Sequence, residues 1–512
     1  MAFPILTVLL FTPLLGALVT LLIPKKQEAV IRVVGIVFAL ASLALASYVW
    51  WATVEAGPGE MQFVIDREWV PDLDLKYTLG VDGLSAPMIF LSALLTTFVL
   101  FYSAFTIDER VKEYYVLFLL LEMGTLGVFL SLDLILFYVF WEVGLVPMFL
   151  LIGVWGGERR EYAAIKFFLY TLAGSVFGLL GILAVYHQTG TFNVLDAAAA
   201  RPFVDDPTWA TIVFWALFVA FAIKIPVFPF HTWLPDAHTE APTGGSVILA
   251  GILLKLGSYG MMRIALPLFP ERFYHFSVEV PIITVMGLMS IVYGALVCMA
   301  QWDLKRLIAY SSVTHMGYVT LGLAAAAAAV PQGGTNVGAF NAAAAGIDGA
   351  ALQQFSHGIV TGAMFFLVGM IYDRAHTRDL KAFGGLATIL PHYYGIMLVT
   401  AFASLGLPGL ISFWSELFVF RGAIQLIPVA AFIGVVGMVF TAGYVLWKIV
   451  QYLFFGTLDS ERWHGLSDLV WWEKVTLWPL VIVMVVLGVY PAPLVNTFNA
   501  AVTTLLRAFV LP

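Results

Sequence analysis

The amino-acid sequence predicts an all-α polytopic membrane protein with about fourteen transmembrane helices. Its 512 residues are 61% hydrophobic and only 11% charged, whereas a soluble domain carries about 25% charged residues. Its mean hydropathy is +0.95. Its apolar runs reach the length of about 20 residues that a helix needs to cross a bilayer. Helices satisfy every backbone N–H and C=O group where water is absent, so each run is interpreted as a helix.

The apolar runs follow one another along the whole chain. They lie near residues 3–24, 30–53, 84–106, 114–131, 133–155, 162–187, 208–230, 244–267, 279–302, 304–327, 350–373, 388–408 (continuing after a break to about 426), 427–453 and 473–497. The first run is too long for a signal peptide and lacks a small-residue cleavage site, so it predicts a retained helix. The alanine tracts 197–200 and 324–329 and the stretch 331–349 indicate loops or helix ends.

The composition excludes several classes of function. A soluble enzyme of this size needs more polar surface than 25 Lys and Arg and 32 Asp and Glu residues can cover. The net charge of -7 and the lack of a basic run argue against a nucleic-acid partner. A single cysteine, Cys298, excludes an intrachain disulfide and a thiolate-ligated iron–sulfur cluster. No phosphate-binding loop or dinucleotide fingerprint appears, so we expect no bound nucleotide.

The positions of basic residues in the loops predict the orientation of the chain. Lys and Arg concentrate in cytoplasmic loops of membrane proteins. With the N-terminus outside, thirteen of them fall on the inner face and seven on the outer face. We therefore expect an integral, multi-pass protein of a bacterial plasma membrane with both termini on the outer, periplasmic side.

Several ionisable residues lie deep inside the apolar runs: Glu122, Glu142, Glu416, Lys224, Lys255, His315 and His357. A charge near the bilayer centre costs about 2.5–3.5 kcal/mol even on an insertion scale, so such residues usually face the bundle interior and pair. Glu142 and Lys224 could form an ion pair that only fixes helix packing. The number of these residues on different helices favours a function instead, because a buried pair repays its desolvation poorly.

Two of the predicted helices are interrupted. Pro226 and Pro229 remove backbone hydrogen bonds just after Lys224, and the segment 407–409 (Leu-Pro-Gly) interrupts the twelfth run before Glu416. Paired interrupted segments in two halves of a chain point to a transport site. The breaks lie five helices apart, which predicts two five-helix repeats of inverted topology. The expected segments are a three-helix segment at 1–112, the repeats at 113–267 and 278–455, and a C-terminal helix and tail at 456–512.

The histidines allow several interpretations. His315 and His357 could ligate a haem, form a satisfied part of the core, or relay protons between their two ring nitrogens. The relay is favoured because each histidine stands alone and only one facing pair is available for haem. His231, Asp236 and His238 in HTWLPDAH have the spacing of metal ligands, but Pro235 and the loop context favour capping and packing. These three residues and Glu122 are possible accessory residues.

The segment 223–263, IKIPVFPFHTWLPDAHTEAPTGGSVILAGILLKLGSYGMMR, closely resembles the signature region of the antiporter-like, proton-pumping subunits of respiratory complex I (NADH:quinone oxidoreductase). FWEVGLVPMFLLIG around Glu142, QWDLKRLIAYSSVTHMGY around His315 and FSHG at His357 extend the resemblance over most of the chain. The resemblance implies fourteen transmembrane helices, of which the seventh and twelfth are broken. It also implies proton pumping driven by electron transfer in partner subunits.

The resemblance further implies which molecules bind where. NADH, FMN, iron–sulfur clusters and quinone would bind to partner subunits, and this chain would hold no cofactor or metal. Its partners would be the other membrane and peripheral subunits of complex I, the lipid bilayer and protons. A subunit of a multisubunit cation/proton antiporter is the alternative, and a haem-binding membrane redox enzyme or a non-pumping scaffold is a third hypothesis.

Six residues match positions that translocate protons in this family. They are the fifth-helix glutamate, the seventh-helix and eighth-helix lysines, two polar residues that link the halves, and the terminal group of the twelfth helix: Glu142, Lys224, Lys255, His315, His357 and Glu416. One departure is the segment ISFWSE, because small residues often precede this glutamate in the family.

Overall fold

The structure, a computed structural model, describes residues 4–463 and 465–510 and is almost entirely helical. Thirteen helices in the described residues are long and apolar enough to cross a membrane. The first eight long helices are α1 (Ile5–Leu22), α2 (Glu28–Ala56), α3 (Ala86–Thr106), α4 (Val111–Leu130), α5 (Leu134–Trp155), α6 (Arg160–Thr189), the broken helix α7a (Pro207–Lys224) and α7b (Trp233–Glu240), and α8 (Thr243–Leu268).

The second part of the chain continues the pattern. It contains α9 (Ile282–Ala300), α10 (Leu304–Ala327), α11 (Val337–Ala375), the broken helix α12a (Pro391–Ser404) and α12b (Ile411–Leu426), α13 (Pro428–Phe454), α14 (Trp471–Val489) and α15 (Ala492–Val510). The broken helix α12a/α12b adds a fourteenth span to the thirteen, so the all-helical class and the predicted number of spans are confirmed.

Short elements connect these helices. Short helices lie at Val194–Ala200, Pro270–Tyr274 and Ser460–Trp463. An antiparallel hairpin, β1 (Gln62–Val70) and β2 (Leu75–Val81), joins α2 to α3, with Ile65 opposite Leu79. The sequence analysis missed this hairpin, because its charged residues break up every apolar run and only long runs were interpreted.

Two helix boundaries differ from the prediction. Helix α11 begins at Val337, so the interpretation of 331–349 as loop or helix end is wrong for 337–349. Alanine is the strongest helix former, which explains why this Ala-rich stretch extends the helix. The predicted run 473–497 is divided between α14 and α15, because the chain leaves the helix at Tyr490 and Pro491 lacks a backbone N–H group.

Both predicted helix breaks are confirmed. Helix α7a ends at Lys224, and the indole Nε1 of Trp233 donates to the freed carbonyl of Ile223 at 2.9 Å. The backbone N–H of Phe228, within the break, donates to Oγ of Ser290 in α9 at 2.9 Å. Unwound backbone at membrane depth needs such partners, because no water is available from the hydrocarbon.

The helices differ in how far neighbouring helices enclose them. The apolar stretches of α8, α10 and α11 are almost wholly buried within the chain, whereas fewer than half of the residues in the apolar stretches of α1, α2 and α14 are buried. Polar residues on the three central helices are therefore shielded from lipid by the rest of the chain.

Candidate functional site

Lys224, at the end of α7a, lies among aromatic rings. Its Nζ lies 5.2 Å from the ring centroid of Trp141 and 6.0 Å from that of Phe167, and the side chain is buried. Positions over ring faces stabilise an ammonium group at a site where water is scarce. The break in the helix therefore presents a lysine that is held by aromatic contacts.

Glu142 acts on Lys224 through space and not by contact. Among the described residues no ion pair joins the two side chains, but a negative charge on Glu142 would stabilise the ammonium group of Lys224 electrostatically. Glu142 is half-buried, and its Oε1 accepts no hydrogen bond from the described part of the chain. The ion pair considered as a packing device is thus not formed. Either group can change its protonation without breaking a hydrogen bond to the other.

The backbone is irregular beside Glu142. Regular helix is interrupted between Val143 and Leu145, within α5. Pro147 follows closely and cannot donate a hydrogen bond to the carbonyl of Val143. The sequence therefore places an irregular turn next to each partner of the Glu142–Lys224 pair.

Lys255 forms the centre of a second group. It lies in α8 between two π-helical turns, Leu249–Leu253 and Met261–Ala265. Its Nζ donates to the carbonyl oxygen of Ala250 and lies 2.6 Å from Nδ1 of His357 in α11. Turns of π-helix inside α-helices are frequent at functional sites. Lys255 and His357 are both buried, so this contact lies inside the helical bundle.

His357 links Lys255 to His315. The rings of His357 and His315 have centroids 5.5 Å apart. Nε2 of His357 has no hydrogen-bond partner among residues 4–463 and 465–510. One ring nitrogen of His357 therefore contacts the lysine, while the other is free to exchange a proton on the opposite side of the ring.

His315 in turn leads to Glu416. Its Nδ1 lies 4.0 Å from Oε1 of Glu416 and 3.2 Å from the side-chain nitrogen of Gln353. Its Nε2 lies 3.0 Å from Oγ of Ser404, at the end of α12a. Glu416 is buried, and its Oε2 lacks a hydrogen-bond partner within the described residues. The carboxyl group is thus held near the imidazole without being locked to it.

Three polar residues in this group were missed by the sequence analysis: Gln353, Ser404 and Ser415. Ser415 donates to Oε1 of Gln353, which orients the amide whose nitrogen points at His315. A usable signal was present for Gln353, because it lies four residues before His357 on the same helix face. Ser404 and Ser415 flank the break in the twelfth helix, but serine is too common to identify without the fold.

The possible accessory residues on and before α7b do not act together. Asp236 forms an ion pair with Lys166 at 2.7 Å. The ring of His238 stacks on Phe365 with centroids 4.6 Å apart, while His231 stacks on Phe228 at 5.7 Å. Asp236 and His238 lie on a helix, so the expected loop context was wrong for them. In the part of the chain that the structure describes, no group of three His, Cys, Asp or Glu side chains could hold a metal.

Glu122 lies apart from the other ionisable residues. Its side chain is buried, and neither carboxyl oxygen has a hydrogen-bond partner among the described residues. Within the described residues no hydrogen bond or ion pair joins it to any of the six residues discussed above. The structure thus brings Lys255, His357, His315 and Glu416 into one sequence of contacts and near contacts, with Glu142 and Lys224 as a second pair.

Known proteins have sequences similar to this chain over most of its length. A family model described as "NADH:quinone oxidoreductase/Mrp antiporter, TM" matches residues 131–441, a range that holds all six residues and both helix breaks. The chain is 43% identical over 467 residues to NADH-quinone oxidoreductase subunit M of Rhodobacter capsulatus, covering 89% of this chain and 86% of the relative. It is 38% identical over 512 residues to the subunit M of Rickettsia conorii, covering 99% of each.

A solved structure matches the fold over nearly the whole chain. One chain of respiratory complex I from Thermus thermophilus with bound NADH gives a TM-score of 0.84 at 30% sequence identity. The superposition covers 98% of this chain and 99% of that one.

Proposed function

Because the chain belongs to the M subunits (chain 4) of NADH:quinone oxidoreductase, the proton-translocating membrane subunits of complex I, we propose that its protons pass through six residues: Glu142, Lys224, Lys255, His357, His315 and Glu416. The chain is a subunit of a redox-driven proton translocase. The alternative of a multisubunit cation/proton antiporter is not retained, because the two relatives described above, matched over 86% and 99% of their own length, are M subunits.

The observation that supports this proposal is the sequence of contacts from Lys255 to Glu416. Lys255 and His357 are 2.6 Å apart, the two histidine rings are 5.5 Å apart, and His315 lies 4.0 Å from Glu416. Each member can take up and release a proton, and imidazole can do so at opposite nitrogens. A proton on Lys255 can therefore reach Glu416 by short transfers and small side-chain movements.

Glu142 and Lys224 form the loading end of the path. An ionised Glu142 stabilises the protonated form of Lys224, and moving or neutralising the carboxylate removes that stabilisation. The lysine then releases its proton toward Lys255. Helix α8 packs closely on the end of α7a at Gly257, where an added Cβ would lie 2.8 Å from the carbonyl oxygen of Phe221. The two lysines therefore lie on helices in direct contact.

We expect the position of the chain in the membrane to follow its loop charges. Thirteen loop Lys and Arg residues on one side against seven on the other favour both termini on the outer face of a bacterial plasma membrane. We further propose that 113–267 and 278–455 are inverted five-helix repeats, each with one broken helix, between the segments 1–112 and 456–512. The partners are the other membrane and peripheral subunits of complex I and the lipid bilayer.

We expect no redox cofactor on this chain. It has one cysteine and no phosphate-binding loop, so NADH, FMN, iron–sulfur clusters and quinone are assigned to partner subunits. The purified subunit should show no visible absorption band and contain no stoichiometric iron, zinc or flavin. A Soret band or a full equivalent of any of these groups would contradict this assignment.

The role of Glu142 can be tested by two substitutions. Glu142→Ala removes the charge that acts on Lys224, so an assembled complex should lose the proton translocation of this subunit. Glu142→Asp keeps the carboxylate on a side chain that is one methylene shorter, so this variant should retain part of the proton translocation. The measurement is the number of protons moved per electron pair in vesicles containing the reconstituted complex. An intact Glu142→Ala complex with the wild-type ratio would disprove the role of this glutamate.

The histidine link makes a separate prediction. His357→Leu leaves a side chain of moderate size but removes both ring nitrogens, so proton transfer from Lys255 to His315 should stop. Phe365→Leu is the matched control, because it removes a buried ring from the same helix at a residue that stacks on His238. Normal pumping by His357→Leu, or equal losses in the two variants, would show that protons take another route.

A further inference from the structure

We propose that Gly406 is a positioning residue that holds the carboxyl group of Glu416 next to His315. Gly406 lies in the break between α12a and α12b. The proposal rests on the proposed role of Glu416 as the last proton-carrying group. It adds a residue that has no titratable group and acts only through the space it leaves.

The carboxyl group of Glu416 occupies the space that a side chain at position 406 would need. A Cβ atom on Gly406 would overlap Oε2 of Glu416 and lie 2.9 Å from its Cδ and 3.3 Å from its Oε1. Contacts of Cβ below 3.0 Å are essentially never observed. Any residue other than glycine must therefore displace the carboxyl group or distort the break.

The same turn also holds His315. Ser404, two residues before Gly406, places its Oγ 3.0 Å from Nε2 of the imidazole. The other ring nitrogen, Nδ1, lies 4.0 Å from Oε1 of Glu416. The break thus fixes both sides of this gap, the imidazole by a hydrogen bond and the carboxyl group by close packing. A methyl group at position 406 would move the carboxyl group and change the distance over which the proton must pass.

The backbone of the break supplies a matched control. Gly406 has φ +76 and Gly409 has φ +91, both in the left-handed region that side chains rarely adopt. A Cβ on Gly409, however, would meet no described atom within 4 Å. Alanine at either position strains the backbone, but only alanine at position 406 collides with Glu416.

The experiment compares Gly406→Ala and Gly409→Ala in the reconstituted complex. We expect Gly406→Ala to lower the protons moved per electron pair and Gly409→Ala to keep the wild-type ratio, both measured per assembled complex. Gly406→Ala is then combined with Glu416→Asp, whose carboxyl group lies about 1.5 Å nearer its own helix because one methylene is missing. In the Glu416→Asp background the alanine should cause no further loss.

Three results would overturn the proposal: normal pumping by Gly406→Ala, equal losses in the two glycine variants, or the same loss from Gly406→Ala in both backgrounds. If Gly406→Ala does not assemble, assembly becomes the readout. Assembly of Gly406→Ala with Glu416→Asp then supports the collision, and failure of that double variant while Gly409→Ala assembles contradicts it. Glu416→Gln distinguishes failure of the proposed role of Glu416 from failure of the proposed role of Gly406. Normal pumping by Glu416→Gln would disprove the role of Glu416. Lost pumping by Glu416→Gln together with normal pumping by Gly406→Ala would disprove only the positioning role of Gly406.

Discussion

Substitution of Lys224 by alanine is expected to abolish proton translocation by this subunit in a complex that still assembles. Lys224 is the group on which Glu142 acts, and alanine leaves nothing at that place that can carry a proton. Loss of a positioned acid–base group typically slows proton transfer by about 10²–10⁴-fold, which removes the contribution of the subunit to pumping. Assembly should persist for two reasons. The lysine lies at the end of a helix that is already broken, and its removal breaks no ion pair within the described residues.

Lys448→Ala is the matched control for this variant. Lys448 is also a buried lysine in a spanning helix, but its Nζ lies 3.0 Å from the ring centroid of Trp302 and outside the proposed path. The complex carrying Lys448→Ala should therefore pump normally. The measurement is the ratio of protons to electrons in vesicles, with assembly checked by native gel electrophoresis. A wild-type ratio in an intact Lys224→Ala complex would refute the role of this lysine.

Glu416→Gln is expected to have an equally large effect. Glutamine has nearly the same shape as glutamate but cannot take up and release a proton at pH 7. The complex should assemble and reduce quinone without the protons that this subunit contributes. The side chain at position 416 would still lie about 4.0 Å from His315, but its amide group could not accept the proton.

Glu416→Lys distinguishes the loss of a titratable group from the loss of a particular charge. A lysine at this position can again bind and release a proton, although its charge differs by one unit from that of a carboxyl group in each protonation state. We therefore expect Glu416→Lys to recover part of the pumping lost in Glu416→Gln. Full pumping by Glu416→Gln would show that the proton leaves by another group.

The sequence alone was enough to predict the membrane-spanning class and the two breaks. Apolar length identifies a span because a bilayer has a fixed thickness, and proline interrupts a helix because it lacks a backbone N–H group. Ionisable residues at membrane depth are costly, so Lys224 and Glu416 stood out as candidates without any knowledge of their neighbours.

The contacts within the site could not be predicted in this way. Lys255 and His357 are separated by 102 residues, and only the packing of α8 against α11 brings them together. Ser404 carries no charge, so the sequence gives no energetic reason to single it out, and the only signal for Gln353 is its place four residues before His357 on the same helix face. Gly406 is one of 45 glycines, and its importance depends on where the side chain of Glu416 ends. At Asp236 the sequence favoured capping and packing over a metal site, but it could not identify the ion-pair partner, because Lys166 lies on another helix.

The most direct test of the central claim compares the proton-to-electron ratio of Lys224→Ala, Glu416→Gln and the variant carrying both substitutions. If protons cross by one path from Lys224 to Glu416, cutting it at either end removes the same number of protons. The double variant should then have the same ratio as each single variant. A double variant with a ratio clearly below both single variants would mean that the two ends serve separate routes, and it would contradict a single path through Lys255, His357 and His315.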